Sequence, residues 1–488
     1  TYLHVFGEHG NTNQSLKIQG GTIEDNTATN NGGGISLDIN TCSANYCTMK
    51  VQVDGTKITN NRAQLGQDVY AYKADPATKL YLPKASDIAA NGRWLNEDTG
   101  LTLPDRAVEY DKIQRTYPLT LSAPQEEKDV ASLKINDGEP VTYNSLQEAM
   151  DAARTALTQT PDAQLTVTLL KETNSSTLVS AGTNVTLDLG GNSIKGIGGT
   201  SALTIEDSTL VIKNGTISGT ATDGGALLLR NNANVTLTGT TLTGSRAARY
   251  GGAAYITGGA DLTMREGAVI TGCEAAWGGA VYVNDGTFTQ NGDAKIESCK
   301  TFINKTYNET GRGGAIYVEK GTYTLTEQAV VTNCTTQNLG TVYIANYGEF
   351  NMTGGEISGN TADYGAGVYL NRGNMTIADG KIAQNKANHA GGGVSQDGGV
   401  VLMRGGEISG NTADSGAGWR LSSGGSVLMR DGDITGNNAS NAGGGIYQDS
   451  GTFTVNGGSI TKNEAATGGG LRHANGTFNF QGGSLYGN

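Results

Sequence analysis

Proline is scarce in this sequence, at 7 residues in 488, although glycine is abundant at 74. A collagen-like triple helix needs frequent proline as well as glycine at every third position, so it is excluded. Charged residues make up only 16% of the chain, which argues against a solvated, disordered polymer. The sequence also lacks an apolar run long enough to form a membrane-spanning helix.

Positive charge and metal ligands are also in short supply. The 34 Lys and Arg residues face 46 Asp and Glu residues, and the net charge of −12 disfavours nucleic acid and anionic membranes as partners. The 4 histidines lie far apart, without the spacing of a metal site, so we expect no metal and no cofactor. No secretory signal opens the chain at Thr1, and we expect any such signal to lie upstream or to have been removed.

What the sequence does contain is a repeat of mostly 25 or 26 residues with three short segments in which apolar and polar residues alternate, as in β-strands. The second segment follows a glycine pair or triplet, as in "GGAVYV" at 278–283, and the third carries residues such as Phe288 and Phe453. The first segment is centred on an aliphatic residue at Ile23, Ile58, Ile217, Leu242, Ile270, Ile296, Val331, Ile357, Ile382, Ile408, Ile434, Ile460 and Leu485.

Three strands and three turns per repeat predict an all-β fold, a parallel β-helix with three strands per coil of 25–26 residues. Successive coils would stack ~4.8 Å apart around a dry column of apolar side chains. Glycine supplies the positive φ that the corners need, and proline is avoided because it cannot donate a hydrogen bond to the next coil.

An asparagine recurs three residues after the first-segment aliphatic. Because Asn tolerates a left-handed backbone and its amides can stack, we interpret the column as a structural ladder rather than a ligand site. Its members are Asn26, Asn61, Asn360, Asn385, Asn411, Asn437, Asn463 and Asn488.

Five of the 7 prolines lie within 76–124, a stretch that lacks the repeat. Residues 1–72 are therefore predicted to be the C-terminal coils of a first β-helix and residues 73–129 a Pro-containing linker or small module. Residues 130–488 are predicted to form a second β-helix with an N-terminal cap at 130–170.

That cap is predicted to contain a short α-helix at "SLQEAMDAARTAL". Ser145 and Glu148 have the spacing of a capping box, and one apolar helical face would cover the open end of the coils. Because the last repeat reaches Asn488 without such a cap, we expect the chain to be part of a longer, multi-unit protein.

The 5 cysteines fall into two groups. Cys42 and Cys47 bracket a short insertion and could close it as a disulfide, although an anoxic habitat would leave them reduced. Cys273, Cys299 and Cys334 occupy the asparagine column on successive coils, where we expect stacked, buried thiols.

Two features are candidate binding sites. The first is a column of tyrosines, each of which follows an inward-facing aliphatic residue and should therefore be exposed. Such rings could stack on sugars or bind a protein. The column consists of Tyr255, Tyr282, Tyr317, Tyr343, Tyr369 and Tyr447. Alternatively these rings only stabilise adjacent strands. If they bind, changing Tyr317 and Tyr343 to Ala should weaken binding without unfolding the chain.

The second candidate is an insert, residues 300–312, that interrupts the repeat with "KTFINKTYNETGR". It offers Lys305, Tyr307 and Arg312 for recognition, because a single extended loop on a regular solenoid is a common binding element.

A catalytic interpretation remains as an alternative. Asp223, Asp363 and Asp414 share one column, and Asp363 and Asp414 lie two coils apart, near ~10 Å, slightly beyond the separation of an inverting glycosidase pair. The short turns leave no long loops to wall a cleft, so catalysis is disfavoured.

The motifs "GGAVY" (278–282), "GGAIY" (313–317) and "GGGIY" (443–447), combined with "ISGN" (357–360), resemble the repeats of chlamydial polymorphic outer-membrane proteins. They are also similar to repeats in β-helix surface proteins of gut Firmicutes. The resemblance covers residues 1–72 and about 200–488, and Ile stands here where the chlamydial repeats usually have Phe. It implies a right-handed β-helix displayed on a cell surface, typically an adhesin or a spacer.

Together these observations lead us to expect a bacterial, extracellular protein, secreted or at the cell surface, that is not an enzyme and does not span the membrane within this sequence. It would be an adhesin or extended stalk that binds glycans or proteins of a host or neighbouring cell. The alternatives are a pectate-lyase-like polysaccharide-degrading enzyme, using Asp363 and Asp414, and a structural fibre or surface-layer component with end-to-end contacts.

Overall fold

The computed structural model describes residues 129–307 and 309–488, and in residues 1–128 only the backbone of eleven strands. The chain divides into two compact units, Thr1–Lys128 and Asp129–Asn488. Strands are described in both units, and the single helix of the described residues lies in the second.

The strands of the first unit combine parallel and antiparallel pairs. They are β1 (Asn13–Gln19), β2 (Thr22–Glu24), β3 (Ile35–Ile39), β4 (Thr48–Asp54), β5 (Lys57–Thr59), β6 (Val69–Lys73), β7 (Lys79–Leu82), β8 (Arg93–Asn96), β9 (Leu101–Thr102), β10 (Val108–Tyr110) and β11 (Thr116–Ser122). Strands β1 to β7 pair in parallel, and Ile23 lies opposite Ile58 as the repeat predicts. Strands β8 to β11 add antiparallel pairs, so strands from both sides of residue 72 share sheets. Cys42 and Cys47 lie outside the described residues, and their disulfide stays a prediction.

The second unit contains the remaining strands and one helix, α1 (Leu146–Gln159). The strands are β12 (Ala131–Ile135), β13 (Val141–Tyr143), β14 (Leu165–Leu169), β15 (Thr173–Asn174), β16 (Thr177–Val179), β17 (Val185–Asp188), β18 (Ser193–Lys195), β19 (Leu203–Glu206), β20 (Thr209–Ser218), β21 (Thr220–Asp223), β22 (Leu227–Arg230), β23 (Asn234–Thr243), β24 (Arg246–Tyr250), β25 (Ala254–Arg265), β26 (Val269–Thr271), β27 (Glu274–Ala275), β28 (Val281–Gln290), β29 (Lys295–Glu297), β30 (Lys300–Thr301), β31 (Ile316–Leu325), β32 (Val330–Thr332), β33 (Val342–Ser358), β34 (Thr361–Tyr364), β35 (Val368–Asn371), β36 (Asn374–Ala383), β37 (Lys386–Ala390), β38 (Val394–Asp397), β39 (Val400–Ser409), β40 (Thr412–Ser415), β41 (Trp419–Ser422), β42 (Ser426–Thr435), β43 (Asn438–Ala442), β44 (Ile446–Gln448), β45 (Thr452–Val455), β46 (Ser459–Thr461), β47 (Glu464–Thr467), β48 (Leu471–His473), β49 (Thr477–Phe480) and β50 (Ser484–Tyr486).

The predicted parallel solenoid is confirmed, with about 12 turns. From β14 onward the coils pair in parallel, and the register aligns equivalent repeat positions, such as Ile270 opposite Ile296. In addition to the three predicted segments, a short fourth strand follows the asparagine column in many of the coils. These fourth strands form two separate sheets, β21-β24-β27-β30 and β34-β37-β40-β43-β47.

The core is a continuous apolar column along the solenoid. The first-segment aliphatics from Ile217 to Ile460 are at most 1% exposed. In the third segment, Phe288, Tyr323 and Phe350 stack with ring centroids 5.3 and 4.9 Å apart. Each coil exposes apolar surface above and below, so most of the burial comes from its neighbours.

Helix α1 covers the N-terminal end of this column as predicted. Its buried face consists of Leu146, Ala149, Met150, Ala153 and Leu157. The Ser145 hydroxyl accepts a hydrogen bond from the Glu148 N–H at 3.1 Å, while the Glu148 carboxylate accepts from the N–H of Asn144, one residue before the expected partner.

The asparagine ladder is confirmed from Asn360 to Asn488, whereas Asn26 and Asn61 lie outside the described residues. Each amide nitrogen donates to the side-chain oxygen of the next Asn, at 2.9–3.1 Å. The left-handed backbone lies one residue earlier than expected, at Gly410 for example, so the Asn is selected for its amide and not for its φ. Cys273, Cys299 and Cys334 continue the column as buried free thiols, as predicted.

Glycine is required at the corner before the second segment. Gly443 has a φ of 66°, and a Cβ there would lie 2.5 Å from the carbonyl oxygen of Ile446. A side chain at this corner would therefore collide with the backbone of its own coil.

Candidate functional site

The tyrosine column is not an exposed ladder, so that expectation is wrong. Tyr282, Tyr317, Tyr343 and Tyr369 are 1–8% exposed, and only Tyr255 and Tyr447, near the two ends of the column, are half-buried. The side chains do point away from the main core, as alternation predicts, but they form a second apolar cluster there.

The cover is a neighbouring column supplied by the fourth strands and the residues beside them. Tyr250, Trp277, Arg312, Leu339 and Tyr364 are bridged in parallel from coil to coil. Tyr250 stacks on Tyr282 at 4.5 Å, and Trp277 stacks on Tyr317 at 5.1 Å. We call the two columns together the aromatic ribbon.

Within the ribbon the tyrosines stack on each other and their hydroxyls are occupied. Tyr317 lies 5.0 Å from Tyr282 and 4.7 Å from Tyr343, between ring centroids. The Tyr282 hydroxyl donates to Glu319 at 3.1 Å, and the Tyr343 hydroxyl accepts from Asn371 at 2.8 Å. Burial raises the pKa of Tyr282 and Tyr317 far above the usual range. The ring faces are therefore not free for a ligand, and the ribbon is chiefly a second core.

The insert folds back over the first of the two fourth-strand sheets. Asn304 and Glu309 pair as a short antiparallel bridge, and the Asn304 side chain donates to the carbonyl oxygen of Ala248 at 2.6 Å. Phe302 lies under the guanidinium of Arg246, 4.4 Å from its carbon to the ring centroid. We call the insert and the sheet β21-β24-β27-β30 the insertion face.

A charged cluster beneath the insert was not predicted from the sequence. Arg249 reaches Glu309 at 3.4 Å, donates to the Tyr250 hydroxyl, and places its guanidinium 4.4 Å from the Tyr250 ring and 5.0 Å from the Tyr307 ring. Asp223 lies beside it, and burial raises the pKa of both Asp223 and Glu309. One carboxylate oxygen of each has no hydrogen-bond partner among the described residues.

The sequence does not predict this cluster because its members come from separate coils and from the insert. Asp223 sits in the repeat, Arg249 in the next coil, and Glu309 in the segment that breaks the period. The available signal was the unusual pairing of two arginines, Arg246 and Arg249, on one short strand.

Of the predicted insert residues, Tyr307 is 46% exposed and Lys305 is also exposed, whereas Arg312 is half-buried. Arg312 belongs to the ribbon, with its guanidinium 5.5 Å from the Trp277 ring and 5.7 Å from the Tyr343 ring. Beside Lys305, between the insert and the sheet, lies a groove of about 380 Å³.

The same side of the solenoid changes charge along its length. The insertion face, with the short segments that follow its strands, carries Arg246, Arg249, Lys300, Lys305 and Arg312 against Asp223, Glu274 and Glu309, a net charge of +2. The second fourth-strand sheet carries Lys386 against Asp363, Asp414 and Glu464, a net charge of −2. The insertion face is thus a local positive surface on a chain of net charge −12.

The alternative catalytic residues lie on that second sheet. Asp363 is half-buried and accepts a hydrogen bond from Asn388 at 2.8 Å, while the exposed Asp414 accepts from Ser440 at 2.8 Å. Each carboxylate therefore has a partner on the next coil, the arrangement of ordinary cross-strand pairs.

Among the described residues, no group of three or more His, Cys, Asp or Glu side chains is placed to hold a metal ion. The helix of the described part is too short and too polar to cross a membrane. Comparison of the chain with family models, with curated proteins and with solved structures found no match.

Proposed function

We propose that this chain is a bacterial cell-surface or secreted binding protein, an adhesin or stalk that holds a glycan or protein ligand at its insertion face. The observation that carries the proposal is the insert itself. On a solenoid of otherwise short turns, one segment is fixed over a positive sheet and presents exposed Ile303, Lys305 and Tyr307. Loops held by a rigid scaffold commonly contain the residues that bind a ligand.

The ribbon supports this proposal in a different role from the one its sequence indicates. Its stacked rings stiffen the coils beneath the insert, and Arg312 anchors the C-terminal end of the insert on Trp277. A binding loop on such a base loses little conformational entropy when it engages a ligand.

The direct test is a glycan-and-protein binding array with the full chain and with a Tyr307→Ala, Lys305→Ala variant. We expect the variant to lose the ligands that the original chain retains while its melting curve stays the same, because both side chains are exposed. Tyr347→Ala is the matched control, since Tyr347 is 74% exposed and lies outside the insertion face.

Unchanged array binding in the folded variant would rule out the insertion face as the site. Turnover of a polysaccharide that disappears in Asp363→Asn would instead support the enzyme alternative.

A further inference from the structure

We propose that the groove beside the insert binds an acidic sugar unit, so that the ligand of this protein is a glycan bearing carboxylate or sulfate groups. This inference rests on the proposed function and specifies its ligand. The groove lies between the insert and the floor formed by β21 and β24, and Arg246, Ile303 and Lys305 line it with Ala221 and Ala248.

Charge is the first reason for an anionic ligand. Arg246 and Lys300 share one carboxylate, Glu274, at 3.4 and 2.9 Å. Lys305 is exposed and has no ion-pair partner among the described residues. The two charged side chains that line the groove, Arg246 and Lys305, are therefore both positive, and the carboxylate nearest Arg246 is shared with Lys300, so an anion in the groove would balance their charge.

The geometry of Arg246 is the second reason. Its guanidinium rests on the Phe302 ring and directs one terminal nitrogen, Nη1, to Glu274. The remaining guanidinium donors have no hydrogen-bond partner among the described residues, and a guanidinium held in one plane is suited to a bidentate contact with a carboxylate or sulfate.

Size and lining favour a sugar over a larger group. The volume of about 380 Å³ falls at the small end of the ~300–1,000 Å³ typical of ligand sites. Ala221 and Ala248 give a shallow apolar floor, and Ile303, 56% exposed, gives an apolar wall. Such a surface can pack against the C–H face of a sugar ring while the cations hold its acidic group.

The test is titration calorimetry of the full chain with acidic oligosaccharides, each compared with its carboxyl-reduced or desulfated form. The panel would include oligogalacturonate, oligoalginate and heparin fragments. We expect binding only to acidic forms, weakening as salt rises. Lys305→Gln and Arg246→Gln should each lower affinity about tenfold, the loss expected for a charge-assisted hydrogen bond.

Lys386→Gln is the control, because Lys386 is an exposed lysine on the same side of the solenoid where the net charge is negative. Its affinity should equal that of the original chain. Equal binding of neutral forms, equal binding of poly-glutamate, or absence of binding to every acidic glycan would each overturn the inference.

The two proposals fail in different ways. If array ligands are lost in the Tyr307→Ala, Lys305→Ala variant but are neutral glycans or proteins, the proposed function stands and the acidic-sugar inference falls. If ligands are retained in that variant, both fall.

Discussion

Removing one rung of the asparagine ladder should loosen the solenoid locally. In Asn411→Ala the chain loses four hydrogen bonds of one buried side chain. Asn411 donates to Asn437 and to the carbonyl oxygen of Ile382, both at 2.9 Å. It accepts from the amide and from the backbone N–H of Asn385, at 3.1 and 2.9 Å.

The expected cost follows from the groups left without partners. In the variant the Asn385 backbone N–H and one of its amide hydrogens remain buried with no acceptor, since Asn385 is 0% exposed. Each orphaned donor costs about 1–3 kcal/mol, and the void left by the shortened side chain adds to this. We therefore expect a loss of about 3–5 kcal/mol in the free energy that holds these coils closed.

Hydrogen exchange measured by mass spectrometry on the full chain is the appropriate assay, because solenoid coils interact mainly with their neighbours and open locally. Peptides from the coils around residue 411 should exchange roughly a thousandfold faster in the variant, since each 1.4 kcal/mol is about tenfold. The control is Asn438→Ala, which removes an exposed Asn beside the ladder. A difference of less than about tenfold between the two variants would refute the assigned role of the ladder.

Two further predictions concern the ribbon and the insert. Tyr317→Ala should lower the free energy of unfolding by about 3–4 kcal/mol, because it deletes a ring that is 3% exposed. Urea denaturation should show this loss, and a loss no larger than that of the exposed Tyr347→Ala would contradict the prediction. Burial raises the pKa of Asp223 and Glu309, so these carboxyls bind protons more tightly when the insert is folded over the sheet than when it is detached from it. The folded insert should therefore be more stable near pH 5 than near pH 7.5. Limited proteolysis within the insert should therefore be faster near pH 7.5, and Asp223→Asn with Glu309→Gln should abolish that difference; a pH effect that survives these substitutions would exclude the two carboxyls as its source.

The fold could be predicted from the sequence because a solenoid repeats the same packing environment about every 26 residues. Ile382 and Ile408 meet the same neighbours in successive coils, so one pattern of alternation predicts all of them. The buried face of α1 followed from its own helical spacing of apolar residues, and its position followed from the open end of the apolar column, which needs an apolar cover.

Exposure of the tyrosines could not be predicted in the same way. Alternation shows that Tyr317 points away from its own core, but it does not show what lies above that surface. The answer depended on the fourth strands, whose aromatic ends, such as Tyr250 and Tyr364, stand directly before the corner glycines. Since the ribbon is a core, the double substitution of Tyr317 and Tyr343 would damage folding and cannot test binding alone.

Several columns change their residue type in the same part of the solenoid. The thiol column ends at Cys334 and the Asn ladder begins at Asn360. The ribbon ends at Tyr369, which lies opposite the small Ser395 on the next coil. Over the same coils the fourth-strand side of the solenoid changes from positive to negative.

These coincident changes divide the second unit into two segments with different constraints. The earlier coils carry bulky aromatic packing, an insert and a positive surface, all of which must stay in register for the groove to keep its shape. Besides the apolar column that all coils share, the later coils contain the buried ladder and a column of alanines, from Ala362 to Ala439, and similar repeats can extend both. Recognition confined to the earlier segment would allow the later one to vary in length without changing the ligand, as a binding element carried on a stalk requires.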